Sequence, residues 1–110
     1  MTHPEISILL TTFKRTDVAC KTIEALRRNF QWPNLSWYIS DDGSSSDHIR
    51  ALRDAIGPTY QTYFFDSERR GVGAGMNHCL LDMWNKGIEF VLSMEDDWEL
   101  SRPMEVAPYV

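Results

Sequence analysis

The feature that most constrains the fold is a regular alternation of apolar and amphipathic stretches along the chain. Four short runs rich in β-branched, aromatic and other apolar residues predict buried strands at residues 6–12, 36–40, 60–65 and 90–94. The stretches between them carry apolar residues at helical spacing and predict three helices. Such alternation is typical of right-handed βαβ units, so the sequence predicts an α/β protein, with a Rossmann-like three-layer αβα fold and a mainly parallel sheet.

Capping signals mark the ends of the predicted helices. Thr16 is the predicted N-cap of the first helix, and Gly57–Pro58 ends the second. The third helix is predicted to begin between Val72 and Gly75, and the glycines of residues 71–75 are interpreted as a flexible turn that leads into it. We expect its buried face to contain Met76, Leu80, Met83 and Trp84.

Composition limits the protein to one ordinary globular domain, residues 1–110. A net charge of −5 and a pI near 5.0 argue against a nucleic-acid-binding surface, which needs clustered Lys and Arg. No apolar run is long enough to span a membrane and the N-terminus lacks the pattern of a secretory signal, so the expected location is the cytoplasm. Cys20 and Cys79 lie in predicted helices, and we expect both thiols to be reduced.

Polar side chains follow three of the predicted strands at the point where each strand ends. They are Thr11, Thr12 and Phe13 in the first cluster, Asp41 and Asp42 in the second, and Glu95, Asp96 and Asp97 in the third. Because the carboxyl ends of parallel strands meet at one edge of a sheet, we expect a ligand site there. Three adjacent carboxylates repel one another unless a cation or a cationic side chain compensates them, which favours a divalent-metal site. The alternatives are a solvent-exposed acidic turn for the third cluster and an ordinary capped turn for the second.

Four short motifs occur in order along the chain: ILLTTFKR at residues 8–15, SDDGSSSD at 40–47, GVGAGMN at 71–77 and MEDD at 94–97. Together they resemble the ordered motif set of family-2 glycosyltransferases, which have the GT-A fold. The resemblance covers residues from about 6 to 100. It implies the N-terminal, nucleotide-sugar-binding half of such an enzyme.

The resemblance also implies roles for individual residues. Thr11 and Phe13 match residues that contact the nucleotide, and Asp42 matches the aspartate that reads the base. Residues 95–97 match the DXD element, which implies Mg²⁺ or Mn²⁺ with Asp97 as the favoured direct ligand and Glu95, in place of the usual Asp, as a ligand that can act through water. The candidates for nucleotide binding are Thr11, Thr12, Phe13, Arg15, Asp41, Asp42, Arg70 and Asp96, with Arg69 or Arg70 replacing an arginine that many members carry at the position of Met76.

The function that the resemblance implies is transfer of a sugar from a UDP- or GDP-linked donor to an acceptor that the sequence does not identify. The family's acceptor-binding region and catalytic base follow the DXD element, so the catalytic residue is not among residues 1–110. The alternative is a non-catalytic nucleotide-binding or assembly module with a truncated GT-A fold. In either case part of the sheet is expected to lack cover, which favours association into a homodimer.

The histidines of the chain are expected to have no functional role. His3, His48 and His78 show no metal-ligand spacing, and His78 precedes Cys79 in a predicted helix, where adjacent residues do not face one ion.

The glycine-rich run at residues 71–75 lacks the third glycine of a dinucleotide-binding fingerprint, because Met76 stands at that position.

Overall fold

A computed structural model of the protein describes residues 3–110. Strands and helices alternate along the chain, and each predicted element is present with its ends within about two residues of the predicted ones. The elements are β1 (Ile6–Thr12), α1 (Thr16–Asn29), β2 (Leu35–Asp41), α2 (Ser46–Ile56), β3 (Gln61–Asp66), α3 (Val72–Asn85), β4 (Phe90–Glu95) and a short 3₁₀ helix (Ala107–Tyr109).

The four strands form one parallel sheet in the order β3–β2–β1–β4. At the carboxyl edge Thr12 pairs with Asp41 on one side, and Thr11 pairs with Glu95 on the other. The predicted three-layer fold with a parallel sheet is therefore confirmed, and this register brings the ends of β1, β2 and β4 together.

Helices cover the two central strands on both faces. Ile8 and Leu10 of β1 pack with Leu26 of α1 and Ile56 of α2 on one face, whereas Leu9 packs with residues of α3 on the other. Every residue of β1 is buried, as expected for a strand that is paired on both sides and covered on both faces.

The buried face of α3 differs from the predicted one. Gly75, Cys79 and Met83 are buried, whereas Leu80 is 41% exposed and Trp84 is 79% exposed. The reason is the close approach of α3 to β2, since a Cβ atom added to Gly75 would lie 2.0 Å from Ser40 Oγ. The line of closest packing therefore runs through Gly75 and Met83, and Leu80 and Trp84 lie outside it.

The glycine-rich run is not a flexible turn throughout. Gly71 is the N-cap of α3 and has a φ of 100°, which a glycine adopts without strain, while Gly73 and Gly75 already belong to the helix. At the first helix, Thr16 is not the cap but the first helical residue, and its hydroxyl lies 2.8 Å from His48 Nδ1.

Strand β4 is one of the two edge strands of the sheet and is only partly buried. Among residues 3–110 it pairs only with β1, and on the face that α3 occupies Val91 is 40% exposed. The opposite face is covered by the chain after β4, in which Val106 is buried and Met104 N–H donates to the carbonyl of Asn29. A face or an edge of the sheet was expected to lack cover, and among residues 3–110 one side of β4 has no paired strand.

The state of the two cysteines and the length of the helices bear on two further expectations from the sequence. Cys20 and Cys79 are both free, and burial raises the pKa of Cys79 to about 11. No helix within residues 3–110 is long and apolar enough to cross a lipid bilayer.

Candidate functional site

A cleft of about 290 Å³ opens at the carboxyl ends of the strands. Its lining residues are Thr11, Thr12, Phe13, Arg15, Asp42, Val72, Glu95 and Asp96. The three predicted strand ends thus converge on one depression, and the start of α3 adds a fourth segment through Val72. Of the predicted site residues, Asp41, Arg70 and Asp97 do not line the cleft.

Asp96 is the anchor of this site. Its side chain is 1% exposed, and its carboxylate accepts hydrogen bonds from Thr12 Oγ1 at 3.0 Å, from Phe13 N at 3.3 Å and from the guanidinium of Arg15. Its carbonyl oxygen accepts a further bond from Thr22 Oγ1 at 2.7 Å. A solvent-exposed acidic turn is therefore the wrong interpretation of Asp96, which ties the end of β4 to the connection between β1 and α1.

Arg15 is the cation that compensates the acidic cluster in this structure. Its Nη2 pairs with Asp96, and its Nη1 lies 3.4 Å from Oδ2 of Asp97, whose side chain is 43% exposed. Glu95 is also exposed and lies at the cleft. One guanidinium therefore bridges two carboxylates that would otherwise repel each other.

The fit of this cluster to a metal ion can be judged from its donor atoms. Within residues 3–110 no three His, Cys, Asp or Glu side chains are grouped to hold an ion by themselves. Asp97 and Glu95 nevertheless offer exposed carboxylate oxygens, which Mg²⁺ and Mn²⁺ prefer, and Arg15 already stands between carboxylates as a substitute cation. Mg²⁺ commonly binds through one or two carboxylates together with ligand phosphates and water. The residues fit an ion held in that shared manner and do not form a closed protein cage.

Asp42 is held as an oriented carboxylate. Its Oδ1 accepts hydrogen bonds from Ser67 Oγ and from Gly71 N at 3.1 Å. The bond from Ser67 is the main cause that lowers the pKa of Asp42, with smaller contributions from Gly71 and Arg69. Because both bonds fall on Oδ1, Asp42 can offer its second oxygen as an acceptor at the cleft.

Asp41 differs from its neighbour, although both were predicted to contact a ligand. It is 2% exposed, and its Oδ2 accepts a hydrogen bond from Ser44 N at 2.8 Å, so the side chain caps the turn before α2. Its Oδ1 has no hydrogen-bond partner within the part of the chain that the structure describes. For Asp41 the capped-turn alternative describes the geometry.

The two arginines after β3 also differ. Arg70 Nε donates to the carbonyl of Ser67 at 2.9 Å and lies away from the cleft, whereas the guanidinium of Arg69 lies 4.5 Å from the centre of the Phe13 ring. Glu68 and Arg69 have φ values of 53° and 67°, so this turn is left-handed at two residues that are not glycine. No sequence pattern predicts this backbone conformation, in which Arg69, and not Arg70, lies beside the Phe13 ring at the cleft.

His48 contacts Thr12 at the cleft, a contact that sequence reasoning did not foresee when it expected no functional role for the histidines. It is 2% exposed, and its Nε2 lies 2.9 Å from Thr12 Oγ1. The Thr12 hydroxyl donates its proton to Asp96, so the Thr12 oxygen accepts a hydrogen bond from His48 Nε2–H. His48 Nδ1 then carries no proton and accepts a hydrogen bond from the Thr16 hydroxyl. The only sequence signal was its position in the first turn of α2, which begins at the carboxyl edge of the sheet.

Burial keeps His48 neutral. Desolvation lowers the pKa of His48, and the negative charges of Asp41 and Asp96 oppose this effect only in part. A neutral ring has one donor and one acceptor, which is what the chain from Thr16 through His48 and Thr12 to Asp96 requires. This chain fixes the direction of the Thr12 hydroxyl under the cleft.

Comparison with known proteins finds similarity in structure and none in sequence. No protein-family model matches the chain, and no curated protein does. A solved structure that is similar is the "putative nucleotide-diphospho-sugar transferase" from Desulfovibrio desulfuricans G20, with a TM-score of 0.66 and 14% sequence identity. The match covers 97% of this chain and 53% of that one, so this chain spans about half the length of its structural neighbour. At this identity the likeness establishes the fold, which is of the Rossmann-like GT-A type.

Proposed function

We propose that the cleft binds a nucleoside-diphosphate sugar and that the chain is the donor-binding part of a glycosyltransferase. The observation that carries this proposal is the convergence of four separate motifs on one cleft at the carboxyl edge of the sheet. The fold supports it, because the solved neighbour bears the name of a nucleotide-diphospho-sugar transferase. In this proposal residues 1–110 form a single nucleotide-sugar-binding domain.

The nucleoside would lie between Phe13 and Asp42. Asp42 is an ionised acceptor with a fixed orientation, which suits a base N–H or a ribose hydroxyl of UDP or GDP. The Phe13 ring offers an apolar face beside the guanidinium of Arg69. Thr11 and Thr12 would contribute the polar wall between them, and of Arg69 and Arg70, the two arginines expected to contact the phosphates, Arg69 is the one beside Phe13.

The diphosphate would lie beside Arg15 and the acidic cluster. We infer that Asp97 holds Mg²⁺ or Mn²⁺ together with the phosphates and that Glu95 assists through water. Such an ion, when bound, supplies positive charge to the departing diphosphate. Asp96, whose oxygens are already engaged, holds Thr12, Phe13 and Arg15 in position.

Transfer of the sugar also needs a group that takes the proton of the acceptor hydroxyl. We propose that residues 1–110 do not supply this general base. A second candidate function is a nucleotide-binding or assembly module without transfer, for which the same cleft would suffice.

Calorimetric titration with UDP and GDP, with and without Mn²⁺, tests this function. We expect one nucleotide to bind, and to bind more tightly with Mn²⁺. Asp97→Asn is expected to remove only the gain from Mn²⁺, whereas Asp42→Asn weakens binding under both conditions. Asp47→Asn, at an exposed aspartate on α2, is the matched control and should change neither. Absence of binding by every nucleoside diphosphate would overturn the proposal.

A further inference from the structure

We propose that His48 is a positioning residue for the nucleotide, because its imidazole is hydrogen-bonded to both ends of the connection between β1 and α1. That connection, residues 13–15, carries Phe13 and Arg15 to the cleft. His48 itself is buried and does not line the cleft. The inference deepens the proposed function and rests on it, because Phe13 and Arg15 are the side chains expected beside the nucleoside and the diphosphate.

The two ring nitrogens of His48 reach residues that lie four positions apart in the chain. Nε2 lies 2.9 Å from Oγ1 of Thr12, the last residue of β1, and Nδ1 lies 2.8 Å from Oγ1 of Thr16, the first residue of α1. These two hydrogen bonds form a clamp across the base of the connection. Because the imidazole ring is rigid and buried, the clamp fixes the distance between the two ends.

The connection held by this clamp has a conformation that is costly for its sequence. Lys14 has a φ of 61°, in the left-handed region that residues other than glycine rarely adopt. Thr16 N–H donates to the carbonyl of Lys14 at 3.0 Å, only two residues back along the chain. Such a conformation persists only where the surrounding structure holds it in place. The clamp supplies a contact of this kind at each end of residues 13–15.

The stretch around the start of α2 also holds the middle of the connection. Lys14 N–H donates to Ser44 Oγ at 2.7 Å, so residues 44–48 contact the β1–α1 connection at three points, two of which belong to His48. The bond to Ser44 is exposed to solvent, whereas His48 is 2% exposed. A hydrogen bond shielded from water is electrostatically the stronger one, so the clamp is the firmer of the two attachments.

The clamp depends on which nitrogen of His48 carries the proton. The carboxylate of Asp96 takes the hydroxyl proton of Thr12, so Nε2–H donates to Thr12 and Nδ1 accepts from the hydroxyl of Thr16. In the other tautomer Nε2 would compete with Asp96 for the one hydroxyl proton of Thr12. The buried carboxylate therefore selects the tautomer in which both bonds of the clamp form.

Thr16 allows the clamp to be opened from outside the cleft. Its side chain does not line the cleft, and Thr16 is the first helical residue of α1 and not its cap. Thr16→Val removes the hydroxyl and keeps the branched shape of the side chain, so a loss of nucleotide affinity would arise through the position of residues 13–15. His48→Leu removes both bonds of the clamp, whereas the amide of His48→Gln keeps one donor and one acceptor.

Calorimetric titration with UDP and GDP in one buffer measures the effect on binding. We expect Thr16→Val to bind the preferred nucleotide about tenfold more weakly than the wild type, a factor close to that of one hydrogen bond, and His48→Leu to bind at least as weakly. The double variant should bind no more weakly than His48→Leu, because both changes open the same clamp. His48→Gln should stay within about threefold of the wild type. Thr62→Val, at a threonine of β3 whose hydroxyl donates to the carbonyl of Tyr60, is the matched control and should bind like the wild type.

Backbone hydrogen exchange followed by NMR tests the clamp without a ligand. The N–H of Arg15, which donates to the carbonyl of Phe13 at 2.8 Å, should lose protection in Thr16→Val and keep it in Thr62→Val. Nitrogen-15 NMR of the wild type should place the ring proton of His48 on Nε2, and a proton on Nδ1 would contradict the clamp.

The outcomes separate a positioning role from a merely structural one. A structural role would lower the free energy of unfolding in urea and leave the nucleotide affinity of the folded variants unchanged, which would overturn the role of His48. Thr16→Val keeps the test decisive even if His48→Leu does not fold. Failure of the wild type to bind any nucleoside diphosphate would instead overturn the proposed function, and the exchange of Arg15 would then still decide whether the clamp holds the connection.

Discussion

Two Gly→Ala substitutions in the first turns of α3 should change stability in opposite directions. Alanine is favoured over glycine inside a helix by up to about 1 kcal/mol. At Gly73 an added Cβ meets no atom within 4 Å, so Gly73→Ala should stabilise the protein by up to about that amount. At Gly75 the same atom would lie 2.0 Å from Ser40 Oγ and 3.4 Å from Ser40 Cβ. Overpacking of a buried contact costs about 1–3 kcal/mol, so after the gain in helix propensity Gly75→Ala should destabilise by up to about 2 kcal/mol net.

The cause can be isolated with a double-mutant cycle. Ser40→Ala removes the atom at 2.0 Å and leaves contacts of 3.4 Å or more, so Gly75→Ala combined with Ser40→Ala should recover most of the loss. Urea unfolding gives the four free energies. Gly75→Ala should also weaken nucleotide binding, because α3 carries the Gly71 N–H that orients Asp42. A Gly75→Ala protein that is as stable as Gly73→Ala would refute this account of how α3 packs.

Two further predictions concern pH and association. Since burial lowers the pKa of His48 below its ordinary value of 6.5, the unfolded chain binds more protons than the folded protein as the pH falls through that value, and the free energy of unfolding should fall with it. In urea unfolding at pH 7.5 and 5.5, His48→Gln should show a smaller fall in the free energy of unfolding, and an unchanged fall would contradict the neutral buried ring. The lowered pKa of Asp42 affects stability only below about pH 4. We also propose a homodimer in which two copies cover the exposed β4 edge, so sedimentation should show a concentration-dependent dimer, and monomer alone at high concentration would contradict it.

The fold could be predicted because its signals are local. Each strand is an apolar run and each helix has an apolar stripe, so the order of elements and the edge at which their polar ends meet follow from the sequence. The convergence of Thr11, Thr12, Phe13, Asp42 and the acidic cluster followed from that order.

The details that failed depend on geometry that a sequence pattern does not contain. Asp41 and Asp42 are adjacent and chemically identical, but successive residues at a strand end point to opposite faces, so one caps a buried turn and the other reaches the cleft. A left-handed backbone at Glu68 and Arg69 precedes Arg70, so the two arginine side chains have different surroundings. A close contact at Gly75 decides which face of α3 is buried. His48 acquired its role from a neighbour 36 positions away in the chain.

The position of β4 in the sheet has a consequence for how the chain is made. β1 lies inside the sheet, between β2 and β4. Synthesis of β4 is complete only at Glu95, roughly fifty residues after the end of β2. At typical rates of translation this interval lasts on the order of 3–10 s. During that time a strand destined for complete burial has one open side, so binding by a chaperone at the ribosome should be strongest for nascent chains that end between β2 and β4.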